Sequence, residues 1–474
     1  MSRIEQLSKP LVLDVDGTFL KTDLLLESFW SALGRAPLAC LRACLLAFSN
    51  RARLKRALAE LAALRMDLLP VNSEVRALGA HSAKLGRRVV LASGSDERLV
   101  SALAAQYGIE GPVFASDGKV NLTGQRKADA LVQAFGEGGF DYAGDGIVDM
   151  PVWDVAENAI IVGHLPQVAA RLAAKGSNVE EFRRTWALRD LLRAMRPHQW
   201  VKNILLFLPL IAAHRFDLAG IMLVSYGVVA FSAAASSIYI INDLLDLEAD
   251  RLHPTKRRRP FASGAVPIVA GMVTAVGLGV FALVLAFLLG WGMLGIVALY
   301  MALSLAYSLK LKRLRWVDIA TLAGLYTLRV IAGAIAAQVM ATGFLVAFIY
   351  PTFIALGCVK RLTELTLAKT DERLPGRGYG RPDRPDLLNV AWLGTFGAVL
   401  AFFLYSFTEA ASTLYDSRWQ LWLAIIPMAG WLIRMVLLGW RGEQDYDPIV
   451  FAMRDKYGLS LIAVTLALMF TATI

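Results

Sequence analysis

The chain has 474 residues, of which 56% are hydrophobic, and it carries a formal net charge of +10. So apolar a composition excludes a wholly soluble protein. The positive charge does not indicate nucleic-acid binding, because most basic residues lie in the loops between apolar segments, where they set the topology of a membrane protein.

The apolar residues are concentrated in the second part of the chain. Up to about Val179 the sequence mixes charged and apolar residues, and long apolar runs begin only near Ile204. We therefore predict a soluble domain over residues 1–180, a linker or interfacial helix over 181–198 and a membrane domain over 199–474. The first ten residues are polar and show no signal peptide, so we expect the soluble domain in the cytosol. The three cysteines form no C-x-x-C pair, which favours reduced thiols over zinc ligands.

The first predicted strand ends in two acidic residues. Residues 10–18 read P-L-V-L-D-V-D-G-T, and side chains two apart on a strand share a face, which brings Asp14 and Asp16 together. Three later segments add a hydroxyl, an amine and two more acids: a strand that ends at Ser93, a helix that Lys127 opens, and the segment 142–149.

These four motifs, in this order, resemble the haloacid dehalogenase-like hydrolases over about residues 8–175. The resemblance implies an N-terminal α/β domain with a Rossmann-like sheet. It also implies that Asp14 is the nucleophile that forms an aspartyl-phosphate and that Asp16 is the acid and base. The other implied roles are phosphoryl binding by Ser93 and Lys127, support of Asp16 by Thr18, and Mg²⁺ binding by Asp14, the Asp16 carbonyl and Asp145, with Asp149 in support.

An insertion rich in leucine, alanine and arginine separates the first two motifs, over about residues 23–78. It resembles a helical cap, which closes over such a site and selects the substrate. We interpret its basic segment, residues 36–61, as a solvated face. Contact with anionic lipid is the alternative.

Nine apolar segments are candidate membrane spans. They cover roughly residues 200–213, 218–242, 265–289, 292–309, 317–338, 342–360, 388–409, 418–440 and 457–473. Basic residues cluster before the first segment and in alternate loops, whereas the other loops hold only Arg215 and Arg418. With nine spans in the inner membrane, this asymmetry places the N-terminal domain and the active sites in the cytoplasm and the C-terminus outside.

An acidic motif follows the second segment. Residues 240–251 read I-I-N-D-L-L-D-L-E-A-D-R. At about 100° per residue, one arc of a helix roughly 100° wide holds four of these side chains: Asn242, Asp243, Asp246 and Asp250. Acids this close repel each other unless they hold cations, and hard oxygen ligands suit Mg²⁺, which bridges to substrate phosphates. The motif therefore predicts a magnesium–diphosphate site.

Further polar groups lie on the same predicted face of the membrane. Residues 196–203 read R-P-H-Q-W-V-K-N, residues 307–313 read Y-S-L-K-L-K-R, and residues 358–365 read C-V-K-R-L-T-E-L. The first two patterns also fit an interfacial anchor and a snorkelling basic collar. Asp318 and Arg329 lie near or within the bilayer, where ionisable residues usually face a polar cavity.

Together these motifs resemble the UbiA superfamily of intramembrane prenyltransferases over about residues 190–474. In that superfamily N-D-x-x-D-x-x-x-D holds Mg²⁺ against a substrate diphosphate. The second D-x-x-x-D motif of many members is missing here after the sixth span. R-P-H-Q-W-V-K-N, K-R-L-T-E-L and D-P-I-V-F-A (residues 447–452) resemble the decaprenyl-phosphate phosphoribosyltransferase branch, which joins phosphoribosyl diphosphate to a polyprenyl phosphate and releases diphosphate.

The resemblance implies roles for individual residues. Mg²⁺ would bind Asp243, Asp246 and Asp250, with Asn242 in support. Phosphate groups would bind Lys310, Lys312, Lys360 and Arg361, with Arg257 and Arg258 as weaker candidates. The other candidates for substrate contact are Lys202, Asn203, Tyr307, Asp318, Arg329 and Glu364.

The two resemblances predict a bifunctional membrane enzyme that uses Mg²⁺ in both domains. It would transfer 5-phosphoribose to a polyprenyl phosphate and then remove the 5-phosphate from the product. The sequence is compatible with a homo-oligomer. Two alternatives stay open: a prenyltransferase that joins a polyprenyl diphosphate to an aromatic or isoprenoid acceptor, with an unrelated phosphatase attached, and an N-terminal domain that is a regulatory module without catalytic activity.

Overall fold

A computed structural model describes residues 9–47, 49–182, 186–368, 371–373, 377–444 and 447–473 of the chain. It contains two compact units. The first comprises Met1–Met195 and Ile240–Thr274, and the second comprises Arg196–Tyr239 and Ala275–Ile474. The acidic motif at residues 240–251 therefore packs with the first unit.

Six parallel strands form the centre of the first unit and confirm the predicted α/β fold. They are β1 (Leu11–Leu13), β2 (Val89–Asp96), β3 (Val113–Ser116), β4 (Asp141–Gly144), β5 (Asn158–Val162) and β6 (Asn178–Phe182). Their order across the sheet is β3-β2-β1-β4-β5-β6, and Leu11 lies opposite Val89 on one side and Asp141 on the other. Because the strand order reverses beside β1, the carboxyl ends of β1 and β4 border a crevice where such sheets bind ligands.

Three helices follow β1 in the predicted cap region: α1 (Leu24–Arg35), α2 (Pro37–Ala47) and α3 (Arg51–Leu61). Asp23 and Asn50 accept hydrogen bonds from N–H groups in the first turns of α1 and α3, which is how N-capping residues start a helix. Ala32, Cys40 and Leu58 are buried between the three helices. The cap therefore has a small apolar core of its own.

The other helices of residues 73–194 are α4 (Ser73–Lys84), α5 (Glu97–Tyr107), α6 (Gln125–Phe135), α7 (Met150–Trp153), α8 (Pro166–Ala174) and α9 (Leu188–Ala194). Apolar clusters cover both faces of the sheet, because Leu11 and Leu13 pack into one cluster and Val12 into another. A strand buried on both faces needs apolar residues at every position. This explains why β1 reads as an unbroken apolar run before the acids.

The helices of the membrane part are α10 (Leu208–Ala212), α11 (Leu218–Leu245), α12 (Leu247–Leu252), α13 (Ile268–Leu288), α14 (Trp291–Leu309), α15 (Val317–Ala336), α16 (Gly343–Thr366), α17 (Arg384–Tyr405), α18 (Glu409–Leu414), α19 (Arg418–Arg441), α20 (Pro448–Ala452) and α21 (Lys456–Thr471). Among the described residues, seven helices are long and apolar enough to cross a membrane. They correspond to the second to eighth predicted segments.

The first and last predicted segments have a different form. The first is a 3₁₀ helix, Pro197–Phe207, followed by the five-residue α10. Proline at 197 and 209 removes backbone donors, which disfavours one continuous α-helix. The last is α21, whose 16 residues are shorter than an ordinary span. Nine spans therefore remain a prediction, of which seven have the expected length.

Small residues let backbones of the second unit approach each other closely. A Cβ atom on Gly333 of α15 would lie 2.0 Å from the backbone oxygen of Leu206, and one on Gly394 of α17 would lie 2.8 Å from that of Pro351. Such close packing stabilises helix pairs in a membrane, where burial of apolar side chains gains little. It also fixes the 3₁₀ segment that carries Lys202 and Asn203 against α15.

Candidate functional site

In the first unit, a buried lysine joins two acids at the carboxyl edge of the sheet. Lys127 of α6 donates hydrogen bonds to Asp14 Oδ1 at 2.8 Å and to Asp149 Oδ1 at 2.9 Å. Its Nζ also lies 2.8 Å from the Tyr142 hydroxyl, which donates to Asp149. Asp14 follows β1 and Asp149 follows β4, so the sheet topology explains why residues distant in sequence meet.

A third acid completes a group that can hold a metal ion. Carboxylate oxygens of Asp14, Asp145 and Asp149 all lie within 4.8 Å of one another. Gly17 makes room for this group, because its φ of +81° is left-handed and a Cβ atom there would lie 1.9 Å from Asp145 Oδ2. Three hard oxygen ligands at this spacing fit Mg²⁺.

The charges in this group do not balance without a cation. Burial raises the pKa of Asp14 well above its usual range; Lys127 opposes this effect, and Asp149 and Asp145 add to it. Burial alone would lower the pKa of Lys127, but Asp14 and Asp149 outweigh it and raise the pKa. One lysine therefore stays protonated among three acids, and a divalent cation would stabilise the ionised form of Asp14.

The structure holds Asp16 in a different way from the predicted one. Ser93 and Ser95 donate hydrogen bonds to Asp16 Oδ2 at 2.8 and 2.7 Å, and the backbone N–H of Leu24 donates to Oδ1 at 2.7 Å. The Thr18 hydroxyl is buried and has no hydrogen-bond partner among the described residues. The predicted support of Asp16 by Thr18 is therefore wrong, and Ser95, two residues beyond Ser93 on β2, was missed.

Two basic residues of the cap point into the first unit. Lys55 of α3 donates to the Gly94 carbonyl oxygen at 2.6 Å and to Asn121 Oδ1 at 2.8 Å. Arg56 Nε lies 2.7 Å from Asp96 Oδ2. The interpretation of residues 36–61 as a solvated basic face is therefore wrong for both side chains. Gly94 lies between the two serines that hold Asp16, so Lys55 links the cap to the site.

The acidic motif of residues 240–251 is divided between two helices. α11 ends at Leu245, and Asp246, with φ of −103° and ψ of 17°, is the N-cap of α12. The break is shallow, because the N–H groups of Asp246 and Asp250 still donate to the carbonyl oxygens of Asn242 and Asp246. Glu248 is exposed, in agreement with its predicted position off that arc.

An arginine lies between two acids of this motif. Arg259 Nη1 is 3.1 Å from Asp243 Oδ1 and 2.7 Å from Asp250 Oδ2, and both acids are buried. Arg259 was not a candidate, whereas the candidates Arg257 and Arg258 are exposed. The 3₁₀ turn Lys256–Arg258 determines which of the consecutive arginines points inward. No pattern in the sequence predicts that turn.

The donor atoms of this motif suit a cation with oxygen ligands. The Asn242 Oδ1 atom is buried without a hydrogen-bond partner among the described residues. Burial raises the pKa of Asp250 to about 6, against the opposing effect of Arg259. Within the described residues, the one compact group of three acids is that around Asp14. At Asp243 and Asp250, the guanidinium of Arg259 supplies the positive charge.

In the second unit, a buried ion pair connects α15 with α16. Arg361 donates to Asp318 Oδ2 at 2.6 Å and to Oδ1 at 2.8 Å, and neither side chain is exposed. Arg361 also donates to Glu364 Oε2 at 2.5 Å and to the Tyr307 hydroxyl at 3.0 Å. Four predicted site residues are thus brought together, and the protein itself satisfies most donors of Arg361.

Lys360, the residue before Arg361, has a different environment. Its charged neighbours are Arg361, Asp447, Glu364 and Lys202. Among the described residues it makes no hydrogen bond and has no acid within 4.0 Å. Lys202, in contrast, forms an ion pair with Asp447. Within the described part of the chain, Lys360 is therefore a cation without a direct partner, and Asp447, which the sequence did not identify as a candidate, lies in the same region.

Arg329 and Asn203 form a network within the protein. Arg329 donates to Asn203 Oδ1 at 3.0 Å, to the Tyr300 hydroxyl at 2.9 Å and to the Leu325 carbonyl oxygen at 2.8 Å. Asn203 donates in turn to the Ser232 hydroxyl at 2.9 Å. These bonds hold four helical segments together: the 3₁₀ helix Pro197–Phe207, α11, α14 and α15. Their predicted contact with substrate stays a prediction.

Two other candidates lie at the end of α14. Lys310 is exposed and Lys312, in the 3₁₀ turn Leu311–Arg313, is half-buried. Their predicted role in phosphate binding also stays a prediction.

An apolar cavity of about 410 Å³ lies in the second unit. Its lining includes Ile204, Leu356 and Ile449. Ile204 and Ile449 lie two residues after Lys202 and Asp447, and Leu356 lies one helical turn before Lys360. A polar group that includes Lys360 therefore adjoins an apolar cavity, which is the arrangement that an amphiphile with a phosphate head requires.

Comparison with known proteins agrees with these features. The model of the UbiA prenyltransferase family matches residues 204–454. Decaprenyl-phosphate phosphoribosyltransferase of Mycobacterium tuberculosis is 33% identical over 281 residues, which cover 58% of this chain and 90% of that protein. Uncharacterized protein y4nM of Sinorhizobium fredii is 33% identical over 453 residues, or 94% of this chain and 88% of that protein.

A solved structure of phosphoserine phosphatase in its apo form aligns with 39% of this chain and 98% of its own chain, at 14% identity and a TM-score of 0.27. The family model, in contrast, covers more than half of the chain, including the acidic motif and all seven candidate spans in full. The chain therefore belongs to the UbiA prenyltransferase family and is an integral membrane protein.

Proposed function

We propose that the membrane part transfers 5-phosphoribose from phosphoribosyl diphosphate to a polyprenyl phosphate. The observation that carries this proposal is Lys360, which has no direct ion-pair partner among the described residues and lies near an apolar cavity of about 410 Å³. Its charge suits the phosphate of the acceptor lipid, and the cavity suits part of the prenyl tail. The relative from Mycobacterium tuberculosis named for this reaction supports the choice of substrates.

The donor diphosphate is assigned to the acidic motif. Asp243, Asp246 and Asp250, with Asn242, would hold Mg²⁺, which neutralises the charge that develops on the leaving diphosphate. Arg259 bonds to Asp243 and Asp250, so it holds these carboxylates in place and adds positive charge. An oxygen of the acceptor phosphate attacks C1 of the ribose, and the bond from C1 to diphosphate breaks. The attacking oxygen is already anionic, so no strong base is needed.

Other residues of the second unit have positioning roles in this proposal. Arg361 is bonded to Asp318, Tyr307 and Glu364, and this network fixes the end of α16 on which Lys360 lies. Asp447 holds Lys202 in the same region. Because Asp447 offsets one of the two lysine charges, Lys360 and Lys202 leave one net positive charge for the acceptor phosphate.

The N-terminal domain is assigned the removal of the 5-phosphate from the product. A carboxylate oxygen of Asp14 attacks the phosphorus atom, and Asp16 donates a proton to the leaving ribose oxygen. Asp16 then accepts a proton from the water that attacks the aspartyl-phosphate, which releases inorganic phosphate and restores Asp14. Ser93 and Ser95 orient Asp16 for both steps. Mg²⁺ held by Asp14, Asp145 and Asp149 would neutralise the transferring phosphoryl group.

The two reactions fit one location. With nine spans, both acidic groups lie on the cytoplasmic side of the inner membrane, where the phosphoribosyl donor is expected. A phosphatase that is covalently linked to the transferase meets its lipid product at a high effective concentration. Hydrolysis of the 5-phosphate makes the overall conversion effectively irreversible.

Product analysis tests this proposal. The purified protein in lipid vesicles receives Mg²⁺ with labelled phosphoribosyl diphosphate and decaprenyl phosphate, or with a polyprenyl diphosphate and an aromatic acceptor. Mass spectrometry of the lipids should show a ribosyl lipid in the first mixture and no product in the second. The Asp14→Asn variant should leave the 5-phosphate on the product. A prenylated aromatic product without any ribosyl lipid would replace the proposed function with ordinary prenyl transfer.

A further inference from the structure

Helix α2 of the cap exposes a row of leucine side chains. Leu38, Leu41 and Leu45 are three and four residues apart, so they lie on one face of the helix. Leu46 lies beside them. The exposed fractions of Leu38, Leu45 and Leu46 are 83%, 81% and 75%, values that are unusual for adjacent leucines in a folded domain.

The opposite face of α2 is buried. Cys40 lies in the core of the cap with Ala32 and Leu58, and its thiol donates to the Phe29 carbonyl oxygen. The cap is therefore complete without the exposed leucines. A second apolar face, exposed on a helix whose other face is already buried, indicates that this face contacts an apolar surface and not water.

The position of α2 along the chain indicates what its exposed leucine face contacts. Gly34, near the end of α1, is so close to the end of α11 that a Cβ atom on it would lie 3.6 Å from the Leu245 carbonyl oxygen. Leu245 is the last residue of a candidate membrane span. Because α2 begins only three residues after Gly34, it starts beside the point where that span ends.

A buried ion pair fixes this arrangement. Arg251 of α12 donates to Glu27 of α1 at 2.5 and 3.0 Å through its two terminal nitrogens. Both side chains are at least 90% buried. Such a two-point contact has a defined geometry. The helix that precedes α2 is therefore held rigidly against the segment that follows the membrane span.

The charge around α2 complements anionic lipid. Residues 35–59 contain six basic residues and no acidic residue. Lys55 and Arg56 bond within the domain, but Arg35, Arg42 and Arg51 are exposed. A helix with exposed leucines and flanking arginines has the composition of helices that lie in the interface of a bilayer with anionic head groups.

We infer that α2 is an interfacial membrane anchor. Its leucine face, defined by Leu38, Leu41, Leu45 and Leu46, inserts among the lipid acyl chains. Arg42 on the helix and the flanking Arg35 and Arg51 bind anionic head groups. The anchor holds the cap at the membrane surface, where a lipid-linked substrate reaches the site beneath it. This inference concerns a membrane-binding surface and holds whatever reaction the two domains catalyse.

Fluorescence quenching tests the position of the leucine face. In a Cys44→Ser background, where Cys40 and Cys358 are buried, Leu41→Cys and Leu45→Cys carry an environment-sensitive dye. The full-length protein is placed in phosphatidylcholine vesicles with and without phosphatidylglycerol. We expect quenching by nitroxide lipids at both positions, stronger with phosphatidylglycerol, and protection from aqueous iodide.

Leu85→Cys, at the end of α4, is the matched control because Leu85 is 50% exposed, like Leu41. Iodide should quench the dye there, and nitroxide lipid should not. If positions 41 and 45 behave like position 85, the leucine face lies in water and the inference is wrong. If Leu41→Cys forms a disulfide between two copies in vesicles at the expense of lipid quenching, a second copy covers the face, which also overturns it.

Discussion

At the residue scale, Gly17 shows how one missing side chain makes a metal site. It follows the two acids of the first strand and adopts a left-handed φ of +81°, with the Asp145 carboxylate where a Cβ atom would be. The turn that follows β1 therefore contacts Asp145, an acid that follows β4.

A methyl group at this position should displace Asp145. We expect Gly17→Ala to weaken the effect of Mg²⁺ on the phosphatase by about 10- to 100-fold, as changes next to metal ligands commonly do. A Mg²⁺ titration of phosphate release measures this. Gly86→Ala is the control, because Gly86 has a similar φ of +78° but no atom within 4 Å of the added group. Equal losses in both variants would show that backbone strain alone is responsible.

Lys360 carries the proposed contact with the acceptor phosphate. Hydrogen bonds to charged groups contribute about 1.5–3 kcal/mol, so Lys360→Met should raise the KM for polyprenyl phosphate by about 10- to 100-fold. Release of phosphate from the 5-phosphoribosyl lipid should not change. Lys456→Met, which removes an exposed cation, should leave both reactions unchanged. An unaltered KM in Lys360→Met would exclude Lys360 as the phosphate ligand.

At the scale of elements, the pair of helices α15 and α16 depends on the ion pair between Asp318 and Arg361. Breaking a fully buried pair costs about 3–5 kcal/mol when the remaining charge has no other partner; because Arg361 keeps its bond to Glu364, we expect a loss near the lower end of that range. Asp318→Asn should therefore lower the Tm of the protein in detergent markedly. Asp386→Asn breaks the exposed pair with Arg315 and should change stability by less than about 1 kcal/mol. Equal melting of the two variants would contradict a structural role for Asp318.

Sequence patterns predicted elements better than they predicted contacts between elements. The strand before Asp14 and the helix opened by Lys127 follow from local signals, and both are present. The arc through Asp243 and Asp250 assumed one continuous helix, but the chain turns at Asp246; both acids nevertheless contact Arg259. A turn of this kind depends on what the next helix packs against.

The site residues that sequence patterns did not predict are mainly those whose side chains contact another element. Ser95 shares a strand face with Ser93, so the alternation of the strand could have identified it. Lys55 and Arg259 carry no such signal, because each lies in a run of basic residues. Only tertiary packing distinguishes Lys55 and Arg259 from the neighbouring basic residues. Helix α3 packs on the sheet, and the 3₁₀ turn packs on the acidic motif.

At the scale of the whole molecule, the proposed intermediate is a lipid that one part of the chain makes and the other consumes. Two inactive variants can therefore complement each other only where they share a membrane. Asp14→Asn should make 5-phosphoribosyl lipid without hydrolysing it, and Lys360→Met should hydrolyse this lipid without making it efficiently.

Both variants reconstituted in the same vesicles should yield dephosphorylated ribosyl lipid, which mass spectrometry detects. The same variants in separate vesicles, mixed afterwards, should yield almost only the phosphorylated lipid when polyprenyl phosphate is kept well below the raised KM of Lys360→Met, because each buried CH₂ group holds the tail in its bilayer by about 0.8 kcal/mol. Wild-type protein in both vesicle populations is the positive control. Dephosphorylation in the mixed separate vesicles would mean that a water-soluble intermediate connects the two sites, and a phosphorylated lipid alone in shared vesicles would mean that the N-terminal domain acts on a different substrate.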